Sequence, residues 1–261
     1  MPANGTTSCL PLSTASMTMP ALTAERRREV CIHEAAHAVV YALGGAFVDR
    51  VAVAPEHATE WTTLGRKGAV LTHLWGVCSA SDPPCLLCLE WSVNDGDYTA
   101  DRKTFTAMIR TIEHDLAELK ISRASQFGVE QRRQLRAHVC AIMAGPVADA
   151  IHSGKDVEDE LDWWDILPNR GDDLTTARAM TLLLPFRREY EHAVRVTEDV
   201  LRRPEVWDRV LRLAAELERV GDLDDVQPFL PDRLPEWPPS PRRSPLTRSP
   251  APSTYPAPGR G

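Results

Sequence analysis

Between Thr23 and Gly44-Gly45 the chain carries one uninterrupted helix signal. Thr23 is a good N-cap, and the glycine pair is a good stop. Ile32, Ala35, Ala36, Val39, Val40 and Leu43 recur at three- and four-residue steps and give this helix an apolar face. The stretch His33-Glu34-Ala35-Ala36-His37 lies in its middle, and His33, Glu34, His37 and Tyr41 share the other face. Residues four apart project the same way from adjacent turns, so the two imidazoles can share one zinc ion at ~2.0–2.1 Å. Glu34, beside the first histidine, is placed to act on water rather than on the metal. Zinc lowers the pKa of such water towards about 7, and the carboxylate can take its proton. The plainer alternative is a surface His/Glu patch on a core helix.

A catalytic zinc takes three protein ligands and leaves one position open. The residues after His37 lack the glycine and third histidine of the metzincin pattern. Glu56, Glu60 and Glu90 are near in sequence but sit in no helical frame, and Cys31 faces away from the histidines. Gly171-Asp172-Asp173-Leu174-Thr175-Thr176-Ala177 places two carboxylates where a loop enters a helix. One aspartate there can serve as a cap and the other as a ligand.

Val48 to Ala54 alternates and is β-branched, as a strand requires, and Gly68 to Leu74 reads as a second strand. Residues 75–100 read as an irregular insertion with turn chemistry at Pro83-Pro84 and Asn94-Asp95-Gly96-Asp97. Apolar stripes from Phe105 to Leu119 and from Leu135 to Ile151 make two long helices. Residues 154–171 read as a polar loop carrying Trp163-Trp164. Helical stretches follow at 173–184, 187–202 and 205–219, bounded by Pro185 and Pro204. Residues 1–22 and 231–261 have the Ser/Thr/Pro and Pro/Arg/Ser composition of disordered tails, which leaves one domain over 23–230. The fold class expected is mainly α with a small β element.

The insertion holds His73, Cys78, Cys85 and Cys88, with one Cys-x-x-Cys spacing that a structural zinc could use. Buried free cysteines are the plainer reading. His57, His114, His138, His152 and His192 have no metal spacing and read as surface or packing residues. A net charge of −7 over 261 residues gives no footprint for nucleic acid. No run of about eighteen apolar residues or signal-peptide pattern is present, so a cytoplasmic chain without a membrane span is expected.

His33-Glu34-Ala35-Ala36-His37-Ala38 resembles the His-Glu-Ala-Gly-His-Ala helix of the FtsH peptidase domain, peptidase family M41. Val48 to Pro55 resembles the strand that follows it there. Ala144-Gly145-Pro146-Val147-Ala148-Asp149 resembles a Gly-Gly-Arg-Ala-Ala-Glu stretch of a later helix. Asp172-Asp173-Leu174-Thr175-Thr176-Ala177 resembles the Asn-Asp-Leu-x-x-Ala segment that gives the family its third zinc ligand. Leu217 to Asp224 resembles the end of the domain. The resemblance implies an FtsH-type zincin fold, zinc ligands His33, His37 and Asp173, a catalytic Glu34, and a hexamer. Pro146 departs from the family pattern and should kink its helix or start a new one, which leaves Asp149 without an assigned role. Asp172 stands where the family has Asn, so either aspartate could be the ligand. No Gly-x-x-x-x-Gly-Lys-Ser/Thr loop occurs, so the ATPase module of the family is missing. The expected activity is that of a zinc metalloendopeptidase acting on peptides or unfolded proteins, with a separate ATPase or adaptor as a partner. The alternatives are a catalytically silent binding or regulatory protein of the same fold, and a zinc hydrolase acting on a non-peptide amide or ester.

Overall fold

Helix α1 (Ala24–Gly44) begins where Thr23 Oγ1 accepts from the Arg26 N–H at 3.2 Å. It ends at Gly45, whose φ of 85° a side chain would disfavour and whose N–H reaches Ala42 O at 2.9 Å. In this computed structural model, residues 20–65, 68–72, 74–82, 88–92, 97–165 and 172–241 are described. Among them α1 is the hub: Cys31, Ala35, Ala36, Ala38, Val39 and Val40 are wholly buried.

Three bodies pack around it. Strand β1 (Val48–Val53) pairs antiparallel with β4 (Gly76–Ala80) on one side and with the two-residue β7 (Asp222–Leu223) on the other, so β4 is an outer strand. Helix α3 (Phe127–Ser153) and helix α7 (Pro204–Val220) flank α1. Arg27 ties these parts together: Nε donates to Ala54 O (2.9 Å), Nη1 to Glu218 O (2.7 Å) and Nη2 to Leu217 O (3.2 Å). Two hairpins, β2/β3 (Thr62–Leu64, Val70–Thr72) and β5/β6 (Leu89–Ser92, Asp97–Ala100), flank β4 in sequence. Helices α2 (Arg102–Glu118), α4 (Val157–Asp165), α5 (Asp172–Leu182) and α6 (Glu189–Leu201) complete the described fold. It is mainly helical with a small antiparallel sheet.

Several expectations are corrected. Where it is described, the stretch 75–100 is not irregular: it supplies β4 to the main sheet and forms β5 and β6, while the expected turns at Pro83-Pro84 and Asn94-Asp95-Gly96 lie outside the described residues. The strand expected over 68–74 is only Val70–Thr72, and the loop expected over 154–171 contains α4. Helix α3 runs through Pro146 without a break. Pro146 cannot donate to the Ile142 carbonyl, a cost of about 3 kcal/mol in an isolated helix. Burial of Val139, Cys140, Met143, Ala144, Val147 and Ala148 on both sides of the proline offsets it.

The tails also differ from expectation where they are described. Leu22 is buried, and its backbone bonds to both His57 and Ala58. Residues 231–241 form a packed strap. Leu234 N–H donates to Leu43 O (3.0 Å), Arg133 Nη1 to Trp237 O (2.6 Å), His192 Nε2 to Pro239 O (2.8 Å) and Arg136 Nη1 to Ser240 Oγ (3.2 Å). Trp237 is buried in this strap, and one aromatic of that size anchors a segment that composition alone marks as loose. The remainder of both tails lies outside the described residues. Among the described residues no helix is long and apolar enough to cross a membrane.

Candidate metal centre

The two histidines of α1 face α3, and each is fixed through its Nδ1. His33 Nδ1 donates to Asp149 Oδ2 at 2.9 Å, and His37 Nδ1 donates to the Ala141 carbonyl at 2.7 Å. A carbonyl can only accept, so the His37 proton belongs on Nδ1 and the lone pair on Nε2. The Asp149 carboxylate assigns His33 in the same way. Both Nε2 atoms then point at one carboxylate oxygen: Asp173 Oδ2 lies 3.2 Å from His33 Nε2 and 3.3 Å from His37 Nε2. The rings stand nearly perpendicular, at 80° with centroids 4.7 Å apart. One ligand atom from each of the three residues lies within 4.8 Å of the others, and this is the only such group found among the described residues.

Glycine at position 145 makes the convergence possible. A Cβ there would lie 2.5 Å from His37 Nε2 and closer still to His33 Nε2. Ala141, Gly145 and Asp149 occupy one row of α3 at four-residue spacing, opposite His33, His37 and Tyr41 on α1. The side of the site not closed by α3 meets β4. A Cβ at Gly76 would lie 2.5 Å from both Cγ and Oε1 of Glu34, so the β4 backbone rests against that carboxylate.

The electrostatics favour a cation. With neutral imidazoles, the carboxylates of Glu34, Asp149 and Asp173 leave the site strongly negative. Burial alone would raise the Asp173 carboxyl, but His37 and His33 outweigh it and hold the group well below the usual carboxylate range. Burial works to lower both histidines, yet Asp149 outweighs it for His33 and Asp173 for His37, and both are raised. Burial pushes the Glu34 carboxyl up, against the pull of His37 and His33. Two imidazole lone pairs and a carboxylate oxygen aimed at each other repel unless a proton or a metal ion lies between them. The residues present therefore fit a metal ion, and this group could hold one.

A cavity of about 560 Å³ opens over these groups. His33, Glu34, His37, Asp149 and Asp173 form its polar part, and Leu71, Trp75, Val77, Ile142, Pro146 and Leu174 give it apolar walls.

The structure brings His33, His37 and Asp173 together, as the resemblance implied. The Asp172 side chain lies outside the described residues. Glu56 and Glu60 are exposed and take no part in the group. The side chain of Glu90, like His73 and Cys85, is outside the described residues. Cys78 lines the cavity, Cys88 is buried, and Cys31 is a core residue whose thiol burial pushes up to about 12. His57, His114 and His152 are exposed, His192 holds the strap, and His138 is buried against Gln134 O and Ser81 O. Sequence reasoning missed the parts of Asp149, Gly145, Gly76 and the Ala141 carbonyl. The four-residue row 141, 145, 149 was the available signal, and the expected break at Pro146 obscured it.

In comparisons with family models, curated proteins and solved structures, nothing matches this chain.

Proposed function

We propose that the protein is a zinc metalloendopeptidase with an FtsH-like, M41-type zincin domain. The observation that carries this reading is the convergence of His33 Nε2, His37 Nε2 and Asp173 Oδ2 beside a buried Glu34. Two imidazoles and one carboxylate are a donor set that suits zinc. Bound there, zinc supplies Lewis acidity, which acidifies water and polarises a carbonyl.

The chain's own residues do the rest. His33, His37 and Asp173 hold the ion. Asp149 and the Ala141 carbonyl keep both Nδ1 atoms protonated and both rings aimed. Glu34 is not one of the three donors. Its carboxylate, whose proton affinity burial raises, takes a proton from the attacking water and delivers it to the leaving amine. The apolar walls shed water from around the reacting groups and accept an apolar side chain of the substrate. The substrate belonging to this reading is a peptide or an unfolded polypeptide. A separate ATPase or adaptor that delivers it, and a hexameric assembly, belong to the same proposal.

Glu34→Gln is the test. The zinc content of the purified variant should equal that of the wild type. Cleavage of an unfolded polypeptide should fall by about 10²–10⁴-fold, the range for loss of a general base. A wild-type protein that binds no zinc, or a variant that cleaves at the wild-type rate, ends this reading.

A further inference from the structure

Tyr41 follows His37 by one helical turn, so His33, His37 and Tyr41 stand in a row on α1, and all three line the cavity with Glu34. The Tyr41 ring is held edge-on by His138, with centroids 5.5 Å apart and planes at 74°. His138 is itself immobilised: its ring nitrogens face Gln134 O at 3.1 Å and Ser81 O at 2.9 Å. The aromatic body of Tyr41 is thus packed, while the residue borders the cavity. Among the described residues nothing accepts from its hydroxyl. The residue is half-buried, and its hydroxyl is free to bond a group that enters the cavity. Burial, then Cys78, Asp173 and Glu34, push the hydroxyl far up, and it stays a neutral donor throughout the working pH range.

Resting on the peptidase reading above, we infer that Tyr41 is a catalytic residue that donates a hydrogen bond to the substrate carbonyl oxygen as that oxygen becomes negative. As the water oxygen bonds to the carbonyl carbon, the π pair moves onto the carbonyl oxygen. Glu34 takes the proton that the water loses, and Tyr41 keeps its own proton and shares it in the hydrogen bond. When the tetrahedral species collapses, the pair returns, the C–N bond breaks, and the proton on Glu34 goes to the amine. The donor is fixed in place before the charge develops, which is the condition under which such a bond accelerates a reaction most.

The test is Tyr41→Phe in the full-length, zinc-loaded protein, a change that keeps the ring on His138. Against an unfolded polypeptide, kcat should fall by about 100-fold, as for loss of one oxyanion donor, with KM, zinc content and Tm unchanged. A phosphinic peptide, whose charged tetrahedral centre imitates the developing oxyanion, should bind the variant more weakly by a similar factor. In a Glu34→Gln background an uncleaved peptide should bind both forms equally. Unchanged kcat, or unchanged affinity for the phosphinic peptide, overturns the inference, as does a loss of Tm that tracks the loss of kcat. If the wild type cleaves nothing, the peptidase reading fails separately. The phosphinic affinity then still decides Tyr41, and equal binding by both forms overturns its role.

Discussion

The two halves of α3 treat their neighbours in opposite ways. The C-terminal half meets α1 with almost no side chain: the Ala141 carbonyl, the bare Cα of Gly145 and the short Asp149 brace the histidines from behind. The N-terminal half meets the strap with long charged side chains: Glu130 accepts from Arg233, Arg133 donates to Trp237 O and Arg136 to Ser240 Oγ. Arg136 and Glu189 form a two-pronged pair at 2.9 and 2.8 Å with almost no exposure on either side. One half is built for close approach and metal chemistry, and the other for holding the chain end against the core. Substitutions in the two halves should therefore separate metal affinity from stability.

The largest effect is expected in the N-terminal half. Arg136→Ala leaves Glu189 buried without a partner and should cost about 3–5 kcal/mol in denaturant unfolding, while the affinity of the folded fraction for zinc stays near wild type. A parallel loss of affinity would break the division. Gly145→Ala comes next. Overpacking against both imidazoles costs about 1–3 kcal/mol, which should be read as up to about 100-fold weaker zinc binding in competition with a chelator. Asp149→Asn removes a charge but not the shape, and zinc affinity should fall by about 10–100-fold with little change in Tm.

The smallest effect concerns pH. Arg133, followed by Gln134 and Arg233, holds the Glu130 carboxyl down at about 2. A depressed carboxyl contributes stability above its unfolded value of about 4.3, and that contribution fades as pH falls towards 2. Glu130 is well exposed, so screening limits the contribution to below about 1 kcal/mol. Glu130→Gln should flatten that part of the acid-unfolding curve and leave the neutral region almost unchanged.

Helix α1 was legible because its signals are local: a cap, a stop and a period. The histidine pair followed from the same period. Asp173 lies 140 residues away from His33, and no spacing rule joins them. The entry of a loop into a helix at Asp172-Asp173 offered the pair, and the resemblance pointed to Asp173 while leaving Asp172 open. Strand β4 was illegible because five residues, Gly76 to Ala80, owe their extended form to pairing with β1 rather than to alternation. Asp149 was obscured by a proline rule that holds for isolated helices and yields to packing in α3. Residues 231–241 were misread because composition averages over a segment, whereas one buried Trp237 and a few backbone bonds decide its state.

The bare positions at Gly76 and Gly145 have a consequence for tracing this chemistry in other chains. Five consecutive residues with two histidines and a glutamate recur by chance in many sequences. A pair of side-chain-free positions, one on an outer strand behind the glutamate and one on a second helix behind the histidines, is far rarer. Together they turn a short word into a spatial signature with three separated parts. Any chain that folds this way and keeps the word but carries bulk at either glycine should have lost the site.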